Sequence, residues 1–335
     1  MHWLLYMITL VFPAITIGSL FMGGGWTWTL LIISFGLIPV AELFLSPSGY
    51  NRDAAEEERV REAWVYRLLP VVLVPLQWVI LAVFLALVSN GSLSTPLELM
   101  GAIASVAVCC GIFGINMGHE LGHRRTRWEQ NLAKVALIST LYVHFFIEHN
   151  RGHHRRVATP EDPATARRGE LVYAFWLRSI IGSWRSAWSI APREMLVLQL
   201  VQLAVWVGLT IALGPFAVGV VALSALGGAL ILETVNYIEH YGLVRRKRDN
   251  GKYERVQPAH SWNSDHPIGR ALLFELSRHS DHHAHPGRPF AVLRSFPGAP
   301  QFPTGYPGMV LLSLVPPLFF RTMDPLLERW DGELA

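Results

Sequence analysis

Six apolar runs, falling in three pairs, constrain this chain more than anything else in it. Residues 3–22, 26–45, 68–88, 97–117, 195–213 and 216–237 are each close to the length that crosses a bilayer as a helix, about 20 residues. Within the pairs only residues 23–25, 89–96 and 214–215 intervene. Lipid offers no hydrogen bonds, so such runs must satisfy their own backbone as helices. The expected fold class is therefore all-α and integral to a membrane, with six transmembrane helices in three hairpins. Composition agrees: 16% of residues are charged, against about 25% in soluble domains.

Basic residues give the orientation. All 28 Lys and Arg lie outside the runs and outside the three short turns. By the positive-inside rule the segments that carry them, and both termini, are expected in the cytoplasm of a multi-pass protein of the inner (cytoplasmic) membrane. No basic stretch precedes the first run and Trp26 begins another almost at once, so a cleavable signal is not expected. A net charge of +3 and the lack of a basic–aromatic stripe argue against nucleic acid. Cys109 and Cys110 are the only cysteines. Neighbours on a helix point apart, so they read as small apolar fillers, and four-cysteine iron chemistry is beyond this chain.

No repeat or linker divides residues 1–335, which read as one domain with a histidine-rich cytoplasmic cap built from 124–193 and 241–335. Residues 132–146 and 309–320 are apolar but too short to span, the latter broken by Pro316 and Pro317. The stretch 260–306, rich in Gly, Pro, Ser and Asn, is expected to wrap the site as ordered loop.

The chemistry lies in the histidines. Of 14, nine fall in tight sets: His119 and His123; His149, His153 and His154; His240; and His279, His282 and His283. Side chains four apart share a helix face, so His119 with His123, and His149 with His153, are placed to approach one ion. One zinc takes three or four protein ligands, and nine imidazoles suit two ions. That donor type favours iron, copper or zinc over magnesium or calcium. Glu120, Glu148, Glu239 and Asp281 each flank a ligand, and Asn236 shares the face of His240. Groups so placed can orient imidazoles through the second ring nitrogen. Glu233, two turns inside the last run, is either a functional carboxylate or one paired with a polar neighbour. His2, His144, His260, His266 and His285 lie outside the sets and read as hydrogen-bonding groups.

Residues 116–123, 145–154, 157–163, 236–243, 260–264, 278–284 and 303–307 together resemble the integral-membrane alkane 1-monooxygenases, within the histidine-box group of desaturases and hydroxylases. The resemblance implies a non-haem centre of two Fe ions held by all nine histidines. It also implies hydroxylation of the terminal methyl of n-alkanes to 1-alkanols by O2, with electrons from NADH through a rubredoxin reductase and rubredoxin. No rubredoxin is encoded before Ala335, so a separate carrier is expected. The second span would line the substrate channel, with Ser34 and Gly36 leaving room for the far end of the alkane and Glu233 alongside. The run Arg245, Arg246, Lys247, Arg248 reads either as a docking patch for an acidic carrier or as an anchor on anionic membrane lipid.

Three other readings compete. His119, Glu120 and His123 match a zinc-protease pattern, which leaves the remaining histidines unexplained. A metal transporter would place its ligands near mid-membrane. The nearer alternative is a related membrane hydroxylase or desaturase acting on methylarenes or fatty acyl chains.

Overall fold

A computed structural model describes residues 3–334, so His2 lies outside the described residues. It is almost wholly helical, with no strand among those residues and only two isolated bridges, Lys247 with Tyr253 and Asn263 with Gln301. Six helices are long and apolar enough to cross a membrane: Trp3–Met22, Gly24–Leu43, Trp64–Ser89, Pro96–Gly122, Pro192–Leu213 and Pro215–His240. They are spans one to six below. The fourth and sixth run beyond their apolar stretches, and that extension carries His119 and His240 on their last turns.

Small and polar residues knit the bundle at one level. A Cβ added at Gly228 of the sixth span would lie 2.5 Å from that of Cys110 in the fourth, the close approach that small residues permit between membrane helices. The Cys110 sulfur accepts from Gln77 of the third span at 3.3 Å, and Cys109 is 3.3 Å from the Thr16 hydroxyl of the first. Both cysteines are free and buried, as fillers should be. The fifth span is the loosest, with Leu196, Val197, Leu200, Leu203 and Ile211 exposed for lipid to cover.

Beyond the spans, the apolar stretch 132–146 is not one helix: it is divided between Arg127–Ile138 and Phe145–Glu148, with a sharp turn between them. Pro316 starts a new helix, Pro316–Leu334, after Tyr306–Ser313. The stretch 260–306 is ordered and mostly irregular. Arg278 fastens it: its guanidinium reaches the Asp265 carboxylate at 3.0 Å and the carbonyls of Leu293 and Tyr50 at 2.8 and 2.9 Å.

Candidate metal centre

Three π-helical turns interrupt the helices, at Ile33–Leu37, Cys110–Asn116 and His149–His153. Such turns are rare and concentrate at functional sites. The third decides how the histidines sort. An α-helix would bring His149 and His153 to one ion, but the widened turn instead sets His149 edge-on to His154, their Nε2 atoms 3.0 Å apart. The outcome is two groups. His119, His123, His149, His154 and His282 form one; His153, His240, His279 and His283 form the other. The pairing of His149 with His153 is thus corrected, while His119 and His123 do share a group. Consecutive residues His153 and His154, and likewise His282 and His283, send one ring to each side.

Every close contact within the groups joins Nε2 to Nε2, at 2.8–3.3 Å. Hydrogen bonds cannot satisfy this arrangement. Each ring nitrogen carries either a proton or an in-plane lone pair. His123, His149 and His154 form a triangle of 3.0, 3.2 and 3.0 Å, so at least two of the three must oppose like with like. A cation among the lone pairs removes the conflict. Imidazole nitrogens about 2.0–2.1 Å from a shared metal stand roughly 3 Å apart. The five-histidine group therefore fits a metal, and the other four rings, whose ligand atoms all lie within 4.8 Å of one another, offer a second ion the same donors.

The electrostatics suit ligands. Burial, reinforced by neighbouring imidazoles, holds His149, His154, His279, His282 and His283 well below the usual imidazole range, and His123 down to about 3. His153 differs. Burial is the largest influence and lowers it, but the Asp162 carboxylate, 2.8 Å from its Nδ1, together with Glu148 and Glu233 raises it overall. Asp162 belongs to the turn 157–163, and Thr165 donates to it at 2.6 Å. Adjacency to a histidine box could not have singled it out, because it lies nine residues from its partner.

The flanking carboxylates have separate employments. Glu120 is taken by Arg124 at 2.6 Å, and Glu148 by Arg156 at 2.7 Å. Asp281 accepts from Arg288, from the Arg294 amide and from His285. Asn236 reaches only Glu233, at 3.5 Å. Glu239 alone faces the cluster, its Oε2 3.1 Å from His279 Nε2. Beside it stands buried Tyr306, and neither the Tyr306 hydroxyl nor Glu239 Oε1 is held in a well-formed hydrogen bond. Glu42 of the second span fixes this region. It accepts from the Gly269 amide at 2.7 Å and packs so tightly on Gly305 that any Cβ there would overlap it. Asn263 accepts from the Ser280 amide at 2.8 Å, which accounts for the motif 260–264 by its hold on the helix His279–Ala284.

Tyr306 also lines a small apolar cavity of about 60 Å³, with Ser34, Phe35, Ile38, Ile112 and Val235 among others. Gly36 and Glu233 do not line it; Glu233 instead accepts from Tyr142 at 2.5 Å. On the opposite chemical footing, two open depressions of about 390 and 300 Å³ share His123 and Arg124. Arg61, Arg67, Arg125, Arg151 and Arg288 ring them. The run 245–248 is split by the structure. Arg245 is buried and donates to the carbonyls of Arg155 and Glu254 at 2.8 and 3.1 Å, so it braces the second histidine box. Arg246, Lys247 and Arg248 are exposed on the turn beyond it.

A multi-pass helical protein with a histidine-box centre is what this architecture defines, and similarity narrows it. Residues 94–310 match the family model described as fatty acid desaturase. Over 320 residues the chain is 38% identical to an alkane 1-monooxygenase of Pseudomonas putida, covering 91% of this chain and 79% of that protein. An alkane 1-monooxygenase of Ectopseudomonas oleovorans is 35% identical over 98% of this chain and 86% of its own. The hydroxylase component of a xylene/toluene monooxygenase from Pseudomonas putida is 32% identical over 74% of this chain and 70% of its own. The chain belongs to the alkane 1-monooxygenase family of the histidine-box group.

Proposed function

We propose that this protein is a non-haem diiron monooxygenase that hydroxylates the terminal methyl of n-alkanes to 1-alkanols. The observation that carries the reading is the pair of buried imidazole groups, one of which has Glu239 beside Tyr306, a residue that lines an apolar cavity. Two irons held by the nine histidines would supply the activation of O2. The chain's own residues do the rest. Asp162 fixes the ring of His153, Glu239 and Tyr306 border the second group, and Ser34, Phe35, Ile38 and Ile112 give an alkane a dry, featureless path that orients it by shape. An alkane dissolves in the bilayer, so a path walled by spans can receive it from lipid.

Electrons come from a rubredoxin served by an NADH-dependent reductase. The basic rim of the two depressions around His123 suits an acidic carrier better than the run 245–248, because it lies directly over a proposed ligand and opposite charge steers the encounter. The protein resides in the inner membrane with both termini in the cytoplasm, the side to which the basic segments point.

Turnover of a graded alkane series by the reconstituted protein, with rubredoxin, reductase and NADH, tests this. Primary alcohols from alkanes are the expected products. Products from a methylarene or fatty acyl substrate with none from any alkane would transfer the assignment to the related hydroxylases.

A further inference from the structure

A second cavity, of about 430 Å³, opens between the helix Val172–Ile190 and the fifth and sixth spans, apart from the alkane path described above. Its size falls among single-ligand pockets, about 300–1,000 Å³. Ile181, Trp184 and Leu226 line it and are also exposed on the outer surface, so the mouth faces the acyl chains of the bilayer. Its inner wall is the turn that follows Ile138. There Leu141 holds φ at 57°, a backbone state uncommon for residues other than glycine.

The lining is apolar except for a few side chains. His144 is 4% exposed and its Nε2 has no hydrogen-bond partner. Burial holds this imidazole down to about 4, so it is neutral. The Gln202 carbonyl accepts from the Val143 amide at 3.3 Å, which orients its NH2 group as a donor. Gln199, one turn away on the same span, also lines the space. The one charged lining residue is Arg185, exposed on the surface helix. The buried polar groups thus match a neutral head that both donates and accepts, and they offer a phosphate no buried cation. A hydroxyl on an alkyl chain meets the description.

The cavity is also close to the metal centre. Tyr142 lines it, lies 6.2 Å from Phe145 between ring centres, and Phe145 stacks on His149 at 4.6 Å. We propose that this cavity binds the long-chain 1-alkanol on its way from the centre to the bilayer, with the hydroxyl held among His144, Gln199 and Gln202 and the chain along Ile181 and Leu226. This rests on the alkane-hydroxylase reading, and the test keeps the two apart.

Photo-crosslinking of the full chain in nanodiscs reads the site directly, with a diazirine-bearing 1-alkanol as probe. The expected labels fall on peptides containing Tyr142, Ile181 and Leu226 and are competed by 1-dodecanol but not by dodecane. Gln199→Leu, which removes one neutral hydrogen bond, should weaken competition by about threefold to tenfold. Ala229→Phe should abolish labelling by filling the space. Should Ala229→Phe fail to fold, the Gln199→Leu result stands alone. Equal labelling by a diazirine alkane overturns the recognition of a hydroxyl. Labelling by a diazirine phosphatidylglycerol that 1-dodecanol does not displace makes this a lipid site and overturns the proposal. Dodecane turnover in the same preparation without any label at these peptides overturns the exit site and leaves the hydroxylase standing. Labelling in an iron-loaded preparation that never converts dodecane overturns the hydroxylase reading and the identification of the ligand as product.

Discussion

The two imidazole groups have the same donors and opposite surroundings. Among the described residues, no ring of the five-histidine group bonds a carboxylate, and His123 lies beneath a rim of arginines. The four-histidine group is wholly buried, has Asp162 on His153 and Glu239 against His279, and through Glu239 meets Tyr306, which lines the apolar cavity. An open depression rich in arginine, with Glu120 and Glu129 also in its wall, lies on one side; buried carboxylates and an apolar cavity lie on the other. The proposed function gives this asymmetry a use: reducing equivalents arrive beside His123, and substrate arrives beside Glu239. Adjacent histidines, 153 with 154 and 282 with 283, keep the two halves in fixed register.

Removing a ligand should give the largest effect on either side. His282→Ala and His283→Ala, one for each group, should each lower alkane turnover by more than about a hundredfold, beyond what losing an outer partner costs. His285→Ala, whose ring only meets Asp281, should cost far less. A mild His283→Ala would remove the second group from the chemistry. The carboxylates sharpen the contrast. Asp162→Asn should weaken iron retention by about 10–100-fold, whereas Glu120→Gln, whose carboxylate meets Arg124 and the Phe290 amide and no histidine ring, should leave iron content unchanged. Equal iron loss in both would erase the electrostatic difference between the groups.

Two smaller effects probe the two approaches. Ser34→Trp should shorten the longest alkane accepted while short ones are still turned over, and Gly36→Trp on the same turn should not, because only Ser34 lines the cavity. Product profiles across chain length decide. Arg125→Glu, on the exposed rim near His123, should raise the KM for rubredoxin several-fold, about the scale of one steering charge. Paired reversal of Lys247 and Arg248 should change it less. The reverse order would return carrier docking to the run 245–248.

Much of this was legible in the residues. Apolar length alone places the spans, because a bilayer fixes how long a helix must be, and the nine histidines stand out by spacing. Their division between two groups was not legible. It depends on the π-turn His149–His153, and an α-helical period assigns His149 the wrong companion. Asp162 and Tyr306 were hidden for a related reason: each reaches the centre through a turn or a loop whose path no periodicity reports. Arg245 shows the converse, since a run of like charges reads as surface until one member is found bracing the Arg155 carbonyl.

The central claim is that two irons occupy two groups of imidazoles. Metal analysis of active, detergent-purified protein, combined with Mössbauer spectroscopy of an iron-57 preparation, tests it most directly. The expected result is two irons per chain, no requirement for zinc, and two resolvable iron environments, of which the one altered by Asp162→Asn belongs to the four-histidine group. One zinc per chain with negligible iron in active enzyme would contradict it.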